Sequence, residues 1–285
     1  SGYPVFFAIH GGGDIAGRKE SAFTSQEKSE VLKRGWVLVS INYRLLPGVF
    51  LEDIIGDVQD AYKWVRTELV KIVPINIDLI TVFGRSAGGG LAVMSGYLLS
   101  PRPQAIIGLY SFCTNWTDPY SYIPDTPVDP AIVAAANKLS IPVVTAGSSD
   151  AKDVLWNAAL KTGKMGWLMT THDPNFSPDE IMAKLKTLST TENMDANYPP
   201  TYLAHGLVDT LVPYSQSVQL ANKLEEYNIR YVLDLVPDAN HSYDNDSTFF
   251  QKHVLPAFDF VQKYMQSPIK VSIKFLEKRF TQTDD

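Results

Sequence analysis

The apolar positions of this chain fall into short, nearly unbroken runs separated by stretches of helical spacing. Pro4 to Ile9 (Pro-Val-Phe-Phe-Ala-Ile) has no polar alternation, as expected of a strand buried on both faces. Trp36 to Tyr43, Leu79 to Phe83, Gln104 to Tyr110, Pro200 to Gly206 and Arg230 to Val236 read as further strands. Between them, Ser21 to Arg34 is polar-rich and periodic and stops at Gly35. Leu51 to Leu69 places Ile54, Ile55, Val58, Ala61, Tyr62 and Val65 on one side. Leu91 to Leu99, Val218 to Tyr227 and Phe249 to Tyr264 complete the helices, the last broken or kinked at Pro256. Strands alternating with helices of this length predict an α/β fold, a mostly parallel central sheet flanked by helices.

The pattern lapses between Asn115 and about Tyr198. Pro119, Pro124, Pro127 and Pro130 crowd an aromatic segment, and helical pieces follow at 131–139, 151–161 and 178–188. Ile141 to Ala146 reads as a short or edge strand. Residues 115–198 are therefore an insertion in one domain spanning 1–285, placed where a lid or substrate pocket is built, or else a structural elaboration. Trp116, Trp156 and Trp167 are candidates to line an apolar pocket or to form the insertion's own core. The tail Ile269 to Phe275 alternates, as an extra edge strand or an unpaired tail would.

Composition narrows the picture. With 285 residues, 45% of them hydrophobic, there is ample material for a core. A net charge of −6 and the lack of basic runs argue against a nucleic-acid partner. No apolar stretch reaches membrane-spanning length. Cys113 stands alone, so no internal disulfide is expected, and it reads as a small buried hydrophobe. Nothing at the start resembles a signal peptide, although a chain opening on a core strand is compatible with a natural N-terminus further upstream. Sequons at Asn115, Asn175, Asn240 and Asn245 are weak evidence, so the compartment stays open with a slight lean to the cytoplasm. A homodimer is compatible with all of this.

The chemistry is concentrated at the ends of the apolar runs. Leu79 to Phe83 ends in Gly84-Arg85-Ser86-Ala87-Gly88, a Gly-x-Ser-x-Gly between strand and helix, which is the context of a nucleophile elbow. The first strand runs into His10-Gly11-Gly12-Gly13, whose glycines can aim backbone amides at an anion. A serine hydroxyl needs a base, usually histidine, oriented by a carboxylate. Asp209 lies just after one late strand and His241 just after the last, and Asp244 and Asp246 follow His241 too closely to serve it. His205 reads as structural, turning the loop that carries Asp209, and His10 as a brace for the glycine loop. No His, Cys and carboxylate cluster has metal-ligand spacing, so neither metal nor cofactor is expected.

Together His10-Gly-Gly-Gly, Asn42-Tyr43-Arg44-Leu45, Gly84-Arg-Ser-Ala-Gly-Gly89, His205-Gly-x-x-Asp209-x-x-Val-Pro213 and Asn240-His241 resemble the α/β-hydrolases of the esterase and lipase type. The likeness runs over residues 4 to 265 and is to the hormone-sensitive-lipase group and its dienelactone-hydrolase-like and peptidase-like cousins. It implies an α/β-hydrolase fold and a serine carboxylic-ester hydrolase acting on short- to medium-chain or small-molecule esters. It also implies Ser86 as nucleophile, His241 as base, Asp209 as its orienting acid, and Gly12, Gly13 and the Ala87 amide as oxyanion hole. Arg85 stands where that group usually has an acidic residue, and Asp14 where it has an aromatic one. The family's first two strands have no counterpart before Tyr3. A lactone, amide, peptide or secondary-metabolite hydrolase with the same triad is the alternative, and a non-catalytic binding protein on this scaffold a more distant one.

Overall fold

A computed structural model of the chain describes residues 2–266, apart from 125, 146 and 148. The alternating tail at 269–275 lies outside the described residues. Six strands form one sheet: β1 (Tyr3–Ile9), β2 (Val37–Ile41), β3 (Ile75–Arg85), β4 (Ala105–Leu109), β5 (Thr201–Gly206) and β6 (Tyr231–Val236). Their order is β2-β1-β3-β4-β5-β6, and every neighbouring pair is parallel. Parallel pairing is what the unbroken apolar runs call for, because crossover helices cover both faces of such a sheet.

The helices divide between the two faces. One carries α1 (Ser25–Lys33) and α11 (Leu255–Gln262), and Val31, Phe258 and Val261 pack with Phe6, Phe83 and Ile107 from the sheet. The other carries α2 (Leu51–Thr67), α3 (Ala87–Leu98) and α9 (Ser215–Glu226) over Val5, Phe7, Val82 and Ile106. Successive residues of β1 thus feed alternate cores, as the period-two geometry of a strand requires. Ahead of α11, the turn α10 (Ser247–Phe249) opens into a π-helical stretch over Phe250–Val254. Pro256, in the first turn of α11, has no N–H to offer the preceding turn, and instead of the expected break the helix passes there from π-helical to α-helical winding without interruption.

The insertion adds α4 (Pro130–Leu139), α5 (Asp150–Lys161), α6 (Met165–Thr170), α7 (Pro178–Leu188) and α8 (Thr190–Asn193) on the α2/α3 side. The strand expected over Ile141–Ala146 does not form among its described residues. The segment makes one antiparallel bridge, Val143 to Leu45, and leaves Ile141 and Val144 more than half exposed. Its bridge partner lies in the turn after β2, and Pro142, beside Val143, has no N–H with which to extend the pairing. Among the described residues, no helix is long and apolar enough to cross a membrane.

Candidate active site

β3 hands over to α3 through Ser86, whose backbone sits at φ 53° and ψ −125°. A non-glycine residue there stores roughly 1–3 kcal/mol of strain and persists only where neighbours over-determine it. Here the Ser86 amide donates to the Leu109 carbonyl at 3.0 Å, while the Gly90 and Phe112 amides donate to the Ser86 carbonyl at 3.0 and 2.9 Å. A Cβ at Gly84 would overlap the Gly88 carbonyl, and one at Gly88 would overlap the Ile9 carbonyl. Only glycine lets strand, turn and helix close this tightly, which leaves the Ser86 hydroxyl at the C-terminal edge of the sheet.

Three loops at that edge converge on it. His241 Nε2 lies 3.0 Å from Ser86 Oγ, and His241 Nδ1 lies 2.7 Å from Asp209 Oδ2. A proton on Nδ1, which the carboxylate favours, leaves the Nε2 lone pair facing the hydroxyl. Asp209 Oδ1 accepts from the Leu211 and Val212 amides, both at 2.8 Å. Burial works to raise the Asp209 pKa, but the hydrogen bonds from His205 and His241 outweigh it and hold the carboxyl well below the usual range. His205 Nε2 sits 3.0 Å from the Val212 carbonyl and 3.3 Å from Asp209 Oδ2, and its Nδ1 meets Ser217 Oγ at 2.7 Å. It fastens the Asp209 loop to α9. Asn240 Oδ1 accepts from the Thr210 and His241 amides, joining the acid loop to the histidine loop.

The glycine loop is organised by its carbonyls. The Tyr43 hydroxyl donates to the His10 carbonyl at 2.8 Å, and His10 Nδ1 reaches the Gly11 carbonyl at 2.8 Å. The Ile15 and Ala16 amides donate to the Gly12 carbonyl, and the Leu46 amide to that of Asp14. Gly12 and Gly13 adopt φ of 111° and 62°, values that suit glycine. Because each carbonyl is turned away and held, the amide across its peptide plane faces the other way. Among the described residues, the amides of Gly12, Gly13 and Ala87 donate to nothing, and Ala87 opens α3, where a first-turn amide has no helical partner.

Both unusual residues of the motifs turn out to face the interior. Arg85 pairs with Glu27 of α1 and, at 2.8 Å, with Asp244 of the histidine loop, and both carboxylates are fully buried. The Tyr110 hydroxyl donates to Asp244 at 2.5 Å, and its ring stands edge-on to His241, centroids 4.6 Å apart. Glu27 also closes a capping box with Thr24 at the start of α1. Asp14 is buried at φ 61°, its carboxyl pushed up to about 7 by burial, with the Tyr43 hydroxyl pulling the other way.

Ser86, His241, Gly12 and Gly13 border a cavity of about 540 Å³. Its apolar lining includes Ile15, Phe112, Trp156, Leu211 and Val212, and α5 of the insertion adds Asp153 and Asn157. Of the three insertion tryptophans, Trp156 reaches this cavity, while Trp116 and Trp167 are buried elsewhere in the insertion. Sequence reasoning did not single out Glu27, Tyr110 or Asp244 as site-bearing. The Thr24-x-x-Glu27 spacing was a local signal for the helix cap, but nothing local links Glu27 to a residue 58 positions away. Among the described residues, no three His, Cys, Asp or Glu side chains gather as metal ligands would.

A parallel sheet whose C-terminal edge gathers an elbow serine, a carboxylate and a histidine in that chain order is an α/β-hydrolase. The BD-FAE family model matches residues 1–224, and the chain belongs to that family of esterase-type α/β-hydrolases. Two solved structures share the fold. A bacterial heroin esterase aligns at a TM-score of 0.66 and 19% identity, over 94% of this chain and 77% of its own. An esterase of Pyrobaculum calidifontis aligns at 0.62 and 19%, over 93% and 78%. By sequence, a non-reducing polyketide synthase of Penicillium brevicompactum is 28% identical over 288 residues, 85% of this chain but 13% of the synthase. One of Aspergillus terreus is 27% identical over 289 residues, 85% of this chain and 12% of the synthase. The chain thus spans about an eighth of the length of the curated relatives it matches.

Proposed function

We propose that the protein hydrolyses carboxylic esters through an acyl-enzyme on Ser86. The observation that carries this reading is the continuous relay from Ser86 Oγ through His241 to Asp209, at 3.0 and 2.7 Å, beside unpaired amides and an open cavity. His241 takes the Ser86 proton as Oγ attacks the ester carbonyl, and the amides of Gly12, Gly13 and Ala87 receive the charge that develops on oxygen. His241 returns the proton to the leaving alcohol. Water then repeats the sequence on the acyl-enzyme, with Asp209 stabilising the imidazolium each time. The apolar walls suit a short- to medium-chain or small aromatic acyl group. Ser86→Ala is expected to abolish both turnover of a p-nitrophenyl ester and labelling by a fluorophosphonate while leaving the melting temperature near wild type. Retained turnover in that variant would refute the assignment.

A second reading is favoured by the relatives of Penicillium and Aspergillus, which are multi-domain polyketide synthases. The same serine would then take an acyl group from a thioester and release it to water or an alcohol. Matched aryl oxygen esters and N-acetylcysteamine thioesters distinguish the two by their kcat/KM ratio.

A further inference from the structure

Five of the six carbonyls from His10 to Ile15 are held by groups already named or by one more, Trp156, and the sixth by its neighbour on the same helix. Trp156 Nε1–H donates to the Gly13 carbonyl at 2.9 Å, and Lys152 Nζ reaches the Ile15 carbonyl at 3.3 Å. Both come from α5, so two anchors of the glycine loop belong to the insertion and the rest to the sheet scaffold and the loop itself. The indole also packs against Gly13 so closely that a Cβ there would run into it, and it leans on Phe112 with ring centroids 5.6 Å apart. Trp156 is 6% exposed, and its hydrogen bond to Gly13 is partly buried at the wall of the cavity.

Gly13 has no side chain to restrict its ψ, and its carbonyl is the handle that fixes the peptide plane following it. We propose that Trp156 is a positioning residue for the oxyanion hole: its indole N–H latches the Gly13 carbonyl and holds the Gly12–Gly13 segment in the geometry that receives the oxyanion. The insertion then does more than wall the cavity. A substrate whose acyl group fits against the indole leaves the latch closed, and one that displaces the indole opens it. Acyl selectivity and rate are coupled through one side chain. This rests on the oxyanion role proposed above for Gly12 and Gly13.

The test is Trp156→Phe, which keeps an aromatic wall and removes the donor, assayed on p-nitrophenyl acetate, whose acetyl group is too small to need the wall. Loss of one oxyanion donor costs about 10²–10³ in turnover, and loosening its support is expected to cost about 10–100-fold in kcat with KM within about threefold. Affinity for an aryl trifluoromethyl ketone should fall by a similar factor. That ketone binds by addition: Ser86 Oγ bonds to the carbonyl carbon, its proton passes to His241, and the C=O π pair becomes the oxyanion. The corresponding secondary alcohol, which cannot add, should bind unchanged. Lys152→Met, which removes the second anchor from a partly exposed position, should lower kcat a few-fold in the same pattern. Unchanged kcat on the acetate in Trp156→Phe, with KM raised for bulkier acyl esters alone, would overturn the latch and leave Trp156 as a wall. Wild-type protein that neither turns over the acetate nor takes a fluorophosphonate would remove the underlying ester-hydrolase reading and the latch with it, a result separable from failure of the variant alone.

Discussion

Arg85 precedes the elbow serine, and its side chain bridges two buried carboxylates on separate elements, Glu27 of α1 and Asp244 beyond His241. Replacing it with methionine keeps most of the apolar stem and removes the charge. Both carboxylates have side chains of 0% exposure, so neither can recover its hydration in place. Breaking a buried ion pair by removing one partner costs about 3–5 kcal/mol. Against a domain stability of roughly 5–15 kcal/mol this is a large loss, though not automatically an unfolding one. The pH dependence follows from Glu27. Burial already raises its pKa, with Arg85 the main influence opposing that rise. Without Arg85 the folded-state pKa moves further above the unfolded one. Stability relative to wild type is then retained below the unfolded pKa and lost as pH rises through the new folded value. One such carboxylate changes stability by at most about 1.4 kcal/mol per pH unit. Urea unfolding of wild type and Arg85→Met at pH 5 and pH 8 should give a deficit of about 3–5 kcal/mol at the higher pH, smaller by about 1–3 kcal/mol at the lower. Adding Glu27→Gln should recover part of it, a non-additivity above about 1 kcal/mol. A deficit below about 1 kcal/mol, or one equal at both pH values, would refute the account of Arg85 as the counter-charge of a buried cluster.

Two more perturbations read out the same region. Ser86→Gly and Ser86→Ala both remove the hydroxyl, but only glycine adopts φ 53° without strain, so the glycine variant should be more stable by about 1 kcal/mol, or roughly 2 °C in melting temperature; equal melting points would show that the elbow is unstrained. Asp14→Asn tests the buried acid of the glycine loop. Its folded pKa of about 7 lies above the unfolded value near 3.9, so wild-type stability is fully present below about pH 4 and lost as pH rises through 7. The asparagine variant should escape a loss on the order of 4 kcal/mol across that window, measured by thermal unfolding, and a pH-independent difference between the two proteins would count against it.

What the sequence made legible follows from where the forces are local. Runs such as Pro-Val-Phe-Phe-Ala-Ile announce a strand buried on both faces, and their order with the intervening helices leaves little freedom in the topology. The motifs at strand ends then share one edge of the sheet, and Ser86, His241 and Asp209 meet there because parallel strands put all their C-terminal ends on the same side. The failures share a cause too. All six residues of α6 are buried, so it has no polar face to give it a period. Ile141-Pro-Val-Val carries β-branched residues, yet its pairing is one bridge to Leu45, in the turn beyond edge strand β2, and Pro142 has no N–H to extend it. The partners of Arg85 and the target of Trp156 are set by packing between elements far apart in sequence. A side chain's preference for a fold says nothing about which distant carbonyl or carboxylate it will find.

The residues flanking the serine's edge of the sheet are held in two different ways, and the difference bears on how such a site can vary. Arg85, Glu27 and Asp244 tie the elbow to α1 and to the histidine loop, all parts of the common scaffold. The Gly13 carbonyl is tied to the insertion instead. A backbone carbonyl left buried without a donor costs about 1–3 kcal/mol, enough to reorient a glycine whose backbone is otherwise free. An insertion of different sequence must therefore bring its own donor to that carbonyl or accept a loosened glycine loop. Grafting another insertion over residues 115–198 should recover rate only when it restores a donor at the position of Trp156 Nε1, whatever shape of cavity it creates.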